Sequence, residues 1–195
     1  FTTEEQTPWF FHSLFLIMGL FSRVSGLSLL ATYHLFRFAG GVLLLVMLYL
    51  LGARFLKGVW TRRFFMVFAA TASGLGWLYF LIFQPGGNQP HPPDVGPGVV
   101  MPELITFLTL LLQPLFCFAV ALLVGVLLCL VIALDEKSIR FAVLGGIAAL
   151  FLANIHTYDT IPLALTIIVY LAGRAWVRGR VEWREAGYAL IVLAM

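Results

Sequence analysis

The eighteen residues RFAGGVLLLVMLYLLGAR, Arg37 to Arg54, carry a cation at each end and no charge between them. On an α-helix that separation is about 25 Å, close to the roughly 30 Å hydrocarbon core of a bilayer. One arginine then marks each surface of a membrane, and the apolar stretch between them dissolves in lipid. The whole apolar run extends from about Thr32 to Leu51 and is followed by the basic segment GARFLKGVWTRR.

The rest of the chain has the same character. It is 195 residues long, 62% hydrophobic and 11% charged. Soluble domains average about 45–50% apolar and about 25% charged, so no soluble fold could hide this much apolar surface. The mean hydropathy of +1.01 agrees. The expected fold class is all-α: a polytopic transmembrane helical bundle, read as one domain over residues 1–195. About five to six spans are expected, plus a truncated last one. The net charge is +3, but Arg and Lys sit scattered at helix ends and form no stripe, so nucleic acid is not an expected partner. Cys117 and Cys129 lie in one apolar run. On a helix they are about 18 Å apart, too far for a disulfide, and read as small packing residues.

Seven further apolar runs follow from hydropathy and punctuation. Trp9 to Phe21 is too short to span. Phe64 to Phe83 ends at QPGGNQPHPPDVGPG, which cannot continue a helix. MPELITFLTLLLQ reads as a short surface helix opened by Pro102. Pro114 opens a span to Leu134. Phe141 to Ile155 is short, and Pro162 to Trp176 leads to VRGRVEWREAG. A final run starts at Tyr188. The start at Phe1 and the short apolar end read as cuts, so the expectation is an internal part of a longer membrane protein.

Basic loops alternate with loops that lack Lys and Arg. Loops 53–63, 135–140 and 174–186 hold the cations, and loops 85–102 and 154–161 hold none. The positive-inside rule places the first group in the cytoplasm and the second outside. The expected location is the bacterial cytoplasmic membrane, crossed several times, with membrane lipids as partners.

The outer side collects the polar residues that carry chemistry. Arg37, with His34 and Tyr33 on the same helix face, is either a snorkelling cation or a binder of lipid phosphate, for which its two-pronged guanidinium suits. Asp94 lies in the proline-rich loop and Glu103 near a helix start, where the dipole favours an anion. LANIHTYDTIPLA, Leu152 to Ala164, packs Asn154, His156, Thr157, Tyr158, Asp159 and Thr160 into seven residues. The plain reading is a capped turn, with Asp159 or Thr160 capping the helix entered by Pro162. The functional reading is a wall of a polar cavity. No P-loop, HExxH, CxxC or GxSxG occurs, and the four histidines have no metal-ligand spacing. SGLGW, Ser73 to Trp77, reads as close helix packing.

Several of these patterns recur in order: FTTEEQTPWFFHSLFLIMGLFSRVSGLS, YHLFRFAGG, SGLGWL, PELITF, QPLF and HTYD. In that order the chain resembles the middle of bacterial multi-spanning glycosyltransferases of the GT-C type. The resemblance implies a sugar carried on a polyprenyl phosphate or pyrophosphate and transferred at the outer membrane face. It puts the principal catalytic carboxylate in a first outer loop upstream of this chain, with Phe1 to Pro8 as that loop's tail. Arg37, His34 and Tyr158 become candidates for the donor phosphate, and His156, Asp159 and Glu103 for proton transfer or orientation. HTYD matches an HPYD-like element with Thr157 in place of proline. A divalent metal would suit the hard oxygens of Asp94 and Glu103, although their spacing specifies no site. Two other readings stand beside this one. A non-catalytic scaffold or accessory subunit of a larger membrane complex would need none of these side chains. A transporter would need polar groups near the midplane, where these spans are apolar.

Overall fold

Ser28 opens the helix that carries both arginines: its hydroxyl accepts a hydrogen bond from the Ala31 N–H at 3.2 Å, the usual capping role of serine. That helix runs on through Arg54 without a break. The structure, a computed structural model, describes residues 12–71, 109–110 and 113–194. Among these, the elements are α1 (Ser13–Ser25), α2 (Leu29–Phe55), α3 (Val59–Thr71), α4 (Pro114–Asp135), α5 (Ile139–Ile155), α6 (Thr160–Arg178) and α7 (Trp183–Ala194). A 3-10 turn, Thr157–Asp159, joins α5 to α6. The described residues contain no strand.

Three stretches are long and apolar enough to cross a membrane: Leu29–Phe55, Pro114–Asp135 and Thr157–Arg178. Their outward faces are apolar. Phe38 is 72% exposed and Val169 69%, the inverse of a soluble surface and the pattern expected where lipid is the solvent. α5 has 17 residues and is shorter, as read from the sequence. α1 is a 13-residue helix buried at Ser13, Leu14 and Met18 and ended by Gly26 at φ 71°.

The basic segments are much less loop than expected. Residues 53–63 hold a break only at 56–58, 135–140 only at 136–138, and 174–186 only at 179–182. Arg and Lys are good helix formers, so the helices run through the charged residues, and each break holds one left-handed residue. Those residues are Gly58 at φ 101°, Lys137 at φ 53° and Gly179 at φ 68°. Arg62 then bonds back to the end of α2, donating to Leu56 O at 3.0 Å and Ala53 O at 3.4 Å. The third apolar run begins as α3. Its remainder, the proline-rich loop and the Pro102 helix lie outside the described residues.

α4 is the centre of the bundle. It runs parallel to α2, with Gly40 against Cys117, Gly125 against Met47, and Arg54 paired with Glu136 at 2.9 Å. It turns back on itself through residues 136–138 into antiparallel α5, where Gly145 packs against Cys129 and Val192 of α7. Both cysteines thus lie beside glycines on different faces of α4. The turn also ties α7 down: Tyr188 Oη donates to Lys137 O at 2.8 Å, as does Arg184 at 2.9 Å. The core joins Val126, Leu130, Leu152, Leu163, Ile167 and Val192 across these helices.

The Gly40 contact is tight: a Cβ there would sit 2.9 Å from the Cys117 Cβ and 3.0 Å from the Phe118 ring. Gly40→Ala is expected to lower stability by about 1–3 kcal/mol through overpacking. Gly19→Ala, with nothing within 4 Å, is expected to raise it by up to about 1 kcal/mol. Thermal unfolding of both variants in detergent checks the pair.

Candidate functional site

The two ends of the bundle have different chemistry. One end holds Arg37, α1 and the HTYD turn; the other holds the three basic segments.

At the first end, α1 and α5 cap each other across more than 140 residues. The first N–H groups of a helix and its last C=O groups have no partner within the helix. Asn154 Oδ1 accepts from the Ser13 N–H at 2.9 Å, and His12 Nε2 lies 3.0 Å from Ile155 O. Because a carbonyl only accepts, Nε2 carries the proton. Thr157 Oγ1 donates to Ala153 O at 2.9 Å, which satisfies another of the last carbonyls of α5.

His156 Nδ1 lies 3.1 Å from Asp159 Oδ2, with both side chains largely shielded from solvent. The distance is that of an ion pair, but the alignment is not that of a hydrogen bond. The His156 ring meets Phe116 edge-on at 5.8 Å and Tyr158 at 6.1 Å. Tyr158 itself projects outward, 82% exposed. The expected cap from Asp159 to α6 is not made: no side-chain cap bond is present there. Thr160 does not cap α6 either. Its hydroxyl donates backward to Thr157 O at 2.6 Å and closes the 3-10 turn. The geometry explains the change, because the turn directs Asp159 toward the preceding His156 and not into the helix that follows. Pro162 occupies the first turn of α6, where no N–H is needed.

Arg37 heads a groove of about 270 Å³ along α2, lined by Phe38, Gly41, Val42, Leu45 and Leu110. Arg37 is half-buried and His34 exposed. Gly40, one turn from Arg37, touches Cys117, whereas His156 touches Phe116. Successive residues on a helix are about 100° apart, so Arg37 and His156 approach α4 from different sides. Asp94 and Glu103 lie outside the described residues. Among the described residues no three His, Cys, Asp or Glu side chains come together as a metal site.

At the other end, Arg174 is the hub of a charge network. It donates to Glu185 through Nε at 3.3 Å and Nη2 at 2.8 Å, and to Asp135 at 3.1 Å. Arg178 donates to Glu185 at 2.6 Å and lies 3.2 Å from Glu182. Burial pushes the Glu185 carboxyl up, but hydrogen bonds from Arg174 and Arg178, with their charges, outweigh it and hold the group below its ordinary value. Sequence reasoning missed this network and the His12 and Ser13 contacts. Helical spacing pairs only Arg174 with Arg178; the break at 179–182 puts Glu182 and Glu185 beyond its reach. No signal of that kind links His12 to Ile155.

Protein-family models, curated proteins and solved structures yield no match to this chain.

Two outcomes follow from the geometry. Asn154→Ala removes the cap on α1 and is expected to cost about 1 kcal/mol, read as faster hydrogen exchange in the first turn of α1 with α6 unaffected. The lowered Glu185 value means that this carboxylate contributes stability above its ordinary value of 4.5, and that the contribution disappears as pH falls through the folded-state value. The melting midpoint should therefore drop on acidification, and Glu185→Gln should remove that part of the drop.

Proposed function

We propose that this chain is part of a membrane glycosyltransferase of the GT-C type, handling a sugar linked to a polyprenyl phosphate or pyrophosphate. In this reading the basic end lies in the cytoplasm of a bacterium and the Arg37 end faces outside. The observation that carries the reading is the groove headed by Arg37. Its apolar lining matches an isoprenoid chain, and the guanidinium at its mouth matches two phosphate oxygens. His34, exposed one turn earlier on α2, is a second nitrogen donor on the same helix face.

The transfer needs little else from these residues. The acceptor hydroxyl loses a proton, a bond forms from its oxygen to the sugar carbon, and the bond to the lipid phosphate breaks. Arg37 stabilises the charge that develops on the departing phosphate. The imidazole of His156, with Nδ1 3.1 Å from Asp159 Oδ2, is the base of this reading. The carboxylates that the charge alternation assigns to the outer side, Asp94 and Glu103, and any divalent metal they hold, complete the proposal.

A second reading is a non-catalytic subunit that keeps an enzyme-like fold: Gly40, one turn from Arg37, packs on Cys117 of α4, whereas His156 meets the neighbouring Phe116. Binding and turnover separate the two. The chain in nanodiscs should bind a polyprenyl phosphate, and Arg37→Ala should weaken that binding about tenfold or more, the scale of a lost charge-assisted hydrogen bond. Equal binding by the variant overturns the Arg37 assignment. If His156→Ala leaves sugar transfer unchanged, the His156 turn is structural and not part of the reaction.

A further inference from the structure

The basic end holds a second site that the sequence reading did not assign. A cleft of about 680 Å³ opens between the α4–α5 turn and the α6–α7 connection. Its walls carry five cations, Lys137, Arg174, Arg178, Arg180 and Arg184, against three carboxylates, Asp135, Glu182 and Glu185. Arg174 and Arg178 hold those carboxylates at 2.6–3.2 Å. That leaves Arg180, 76% exposed and 3.7 Å from the shared Glu182, together with Lys137 and Arg184. Arg184 is held by neutral oxygens, Tyr188 Oη at 2.8 Å and Lys137 O at 2.9 Å. These contacts orient its guanidinium without cancelling its charge.

The cleft continues into an apolar groove. Val169, Tyr170, Gly173 and Val177 line a hollow of about 520 Å³ along α6, and Arg174 and Arg178 line both hollows. A Cβ built at Gly173 meets nothing within 4 Å, so the hollow is open at that glycine. Trp176 and Trp183, 88% and 83% exposed, stand beside the two hollows in sequence. Exposed tryptophans at the charged end of a span mark the headgroup level of a bilayer.

We propose that this end binds an anionic phospholipid: the phosphate headgroup in the arginine cleft and an acyl chain along the α6 groove. A soluble phosphate would use the cleft but has no use for the groove, and this is why the lipid is the ligand assigned. The cations draw in the headgroup with charge-assisted contacts, and the groove replaces lipid–lipid contacts with packing on Val169 and Val177. The proposal does not rest on the Arg37 groove, which lies at the opposite end.

The test uses the full chain in detergent, with its melting midpoint and Trp fluorescence followed on addition of three probes: phosphatidylglycerol, phosphatidylcholine and inorganic phosphate. Phosphatidylglycerol is expected to stabilise the chain in a salt-sensitive way, and the other two are not. Arg180→Gln and Lys137→Gln should each weaken the effect roughly fivefold. Arg180 is exposed, so its replacement leaves the fold intact. Gly173→Leu fills the groove without touching the cleft, and should weaken phosphatidylglycerol binding while Arg174 and Glu185 stay paired. The proposal is overturned if phosphatidylcholine stabilises equally, if inorganic phosphate alone gives the full effect, or if the charge variants and Gly173→Leu bind phosphatidylglycerol as the parent does.

Discussion

The structure depends on backbone-close packing along both sides of α4. Lipid tails are as apolar as leucine, so burying apolar area does not by itself drive helices together in a membrane. Close approach does, through dispersion contacts between small residues. Gly40 against Cys117 and Gly145 against Cys129 supply it on two faces. α4 thereby becomes the shared partner of α2 and α5, and through Val192 of α7. The cysteines serve as small, soft packing groups, in line with the behaviour of free cysteine in cores.

Because α4 is fixed in this way, the candidate groups at its ends are set by their contacts with it. At one end Arg37 is presented to a groove on the α2 side, and the His156–Asp159 pair sits on the Phe116 side. At the other end the α4–α5 turn becomes an anchor. Its carbonyl at Lys137 receives Tyr188 and Arg184, and its Asp135 receives Arg174. Largely shielded ion pairs such as Arg174–Glu185 are costly to break and add little net stability when intact. Their evident effect here is positional: they fix the register of α6 and α7 against α4, and they leave Arg180, Arg184 and Lys137 at the rim of the cleft.

Much of this was legible in the residues. The apolar runs around Arg37–Arg54 and after Pro114 became α2 and α4, and the weak span before His156 became the 17-residue α5. The three basic segments meet at one end, as the charge alternation required. The charged loops themselves were read as too long, since Arg and Lys are good helix formers and a charge does not stop a helix. The role of Asp159 was misread for a related reason. Its position before Pro162 suits a cap, but whether it caps depends on the direction of a single 3-10 turn.

The sequence by itself determined the solvent of this protein and the ends of its helices. Hydropathy, charge placement, proline and glycine act locally, over one helical turn or one bilayer thickness, and can be read in order along the chain. Only the tertiary structure decided which of those ends face each other. His12 reaching Ile155, Asn154 capping Ser13, and Glu185 shared by two arginines all join residues that no periodicity connects. Their pairing follows from which small residues let the helices of this bundle come close, a property of two surfaces together and not of either segment alone.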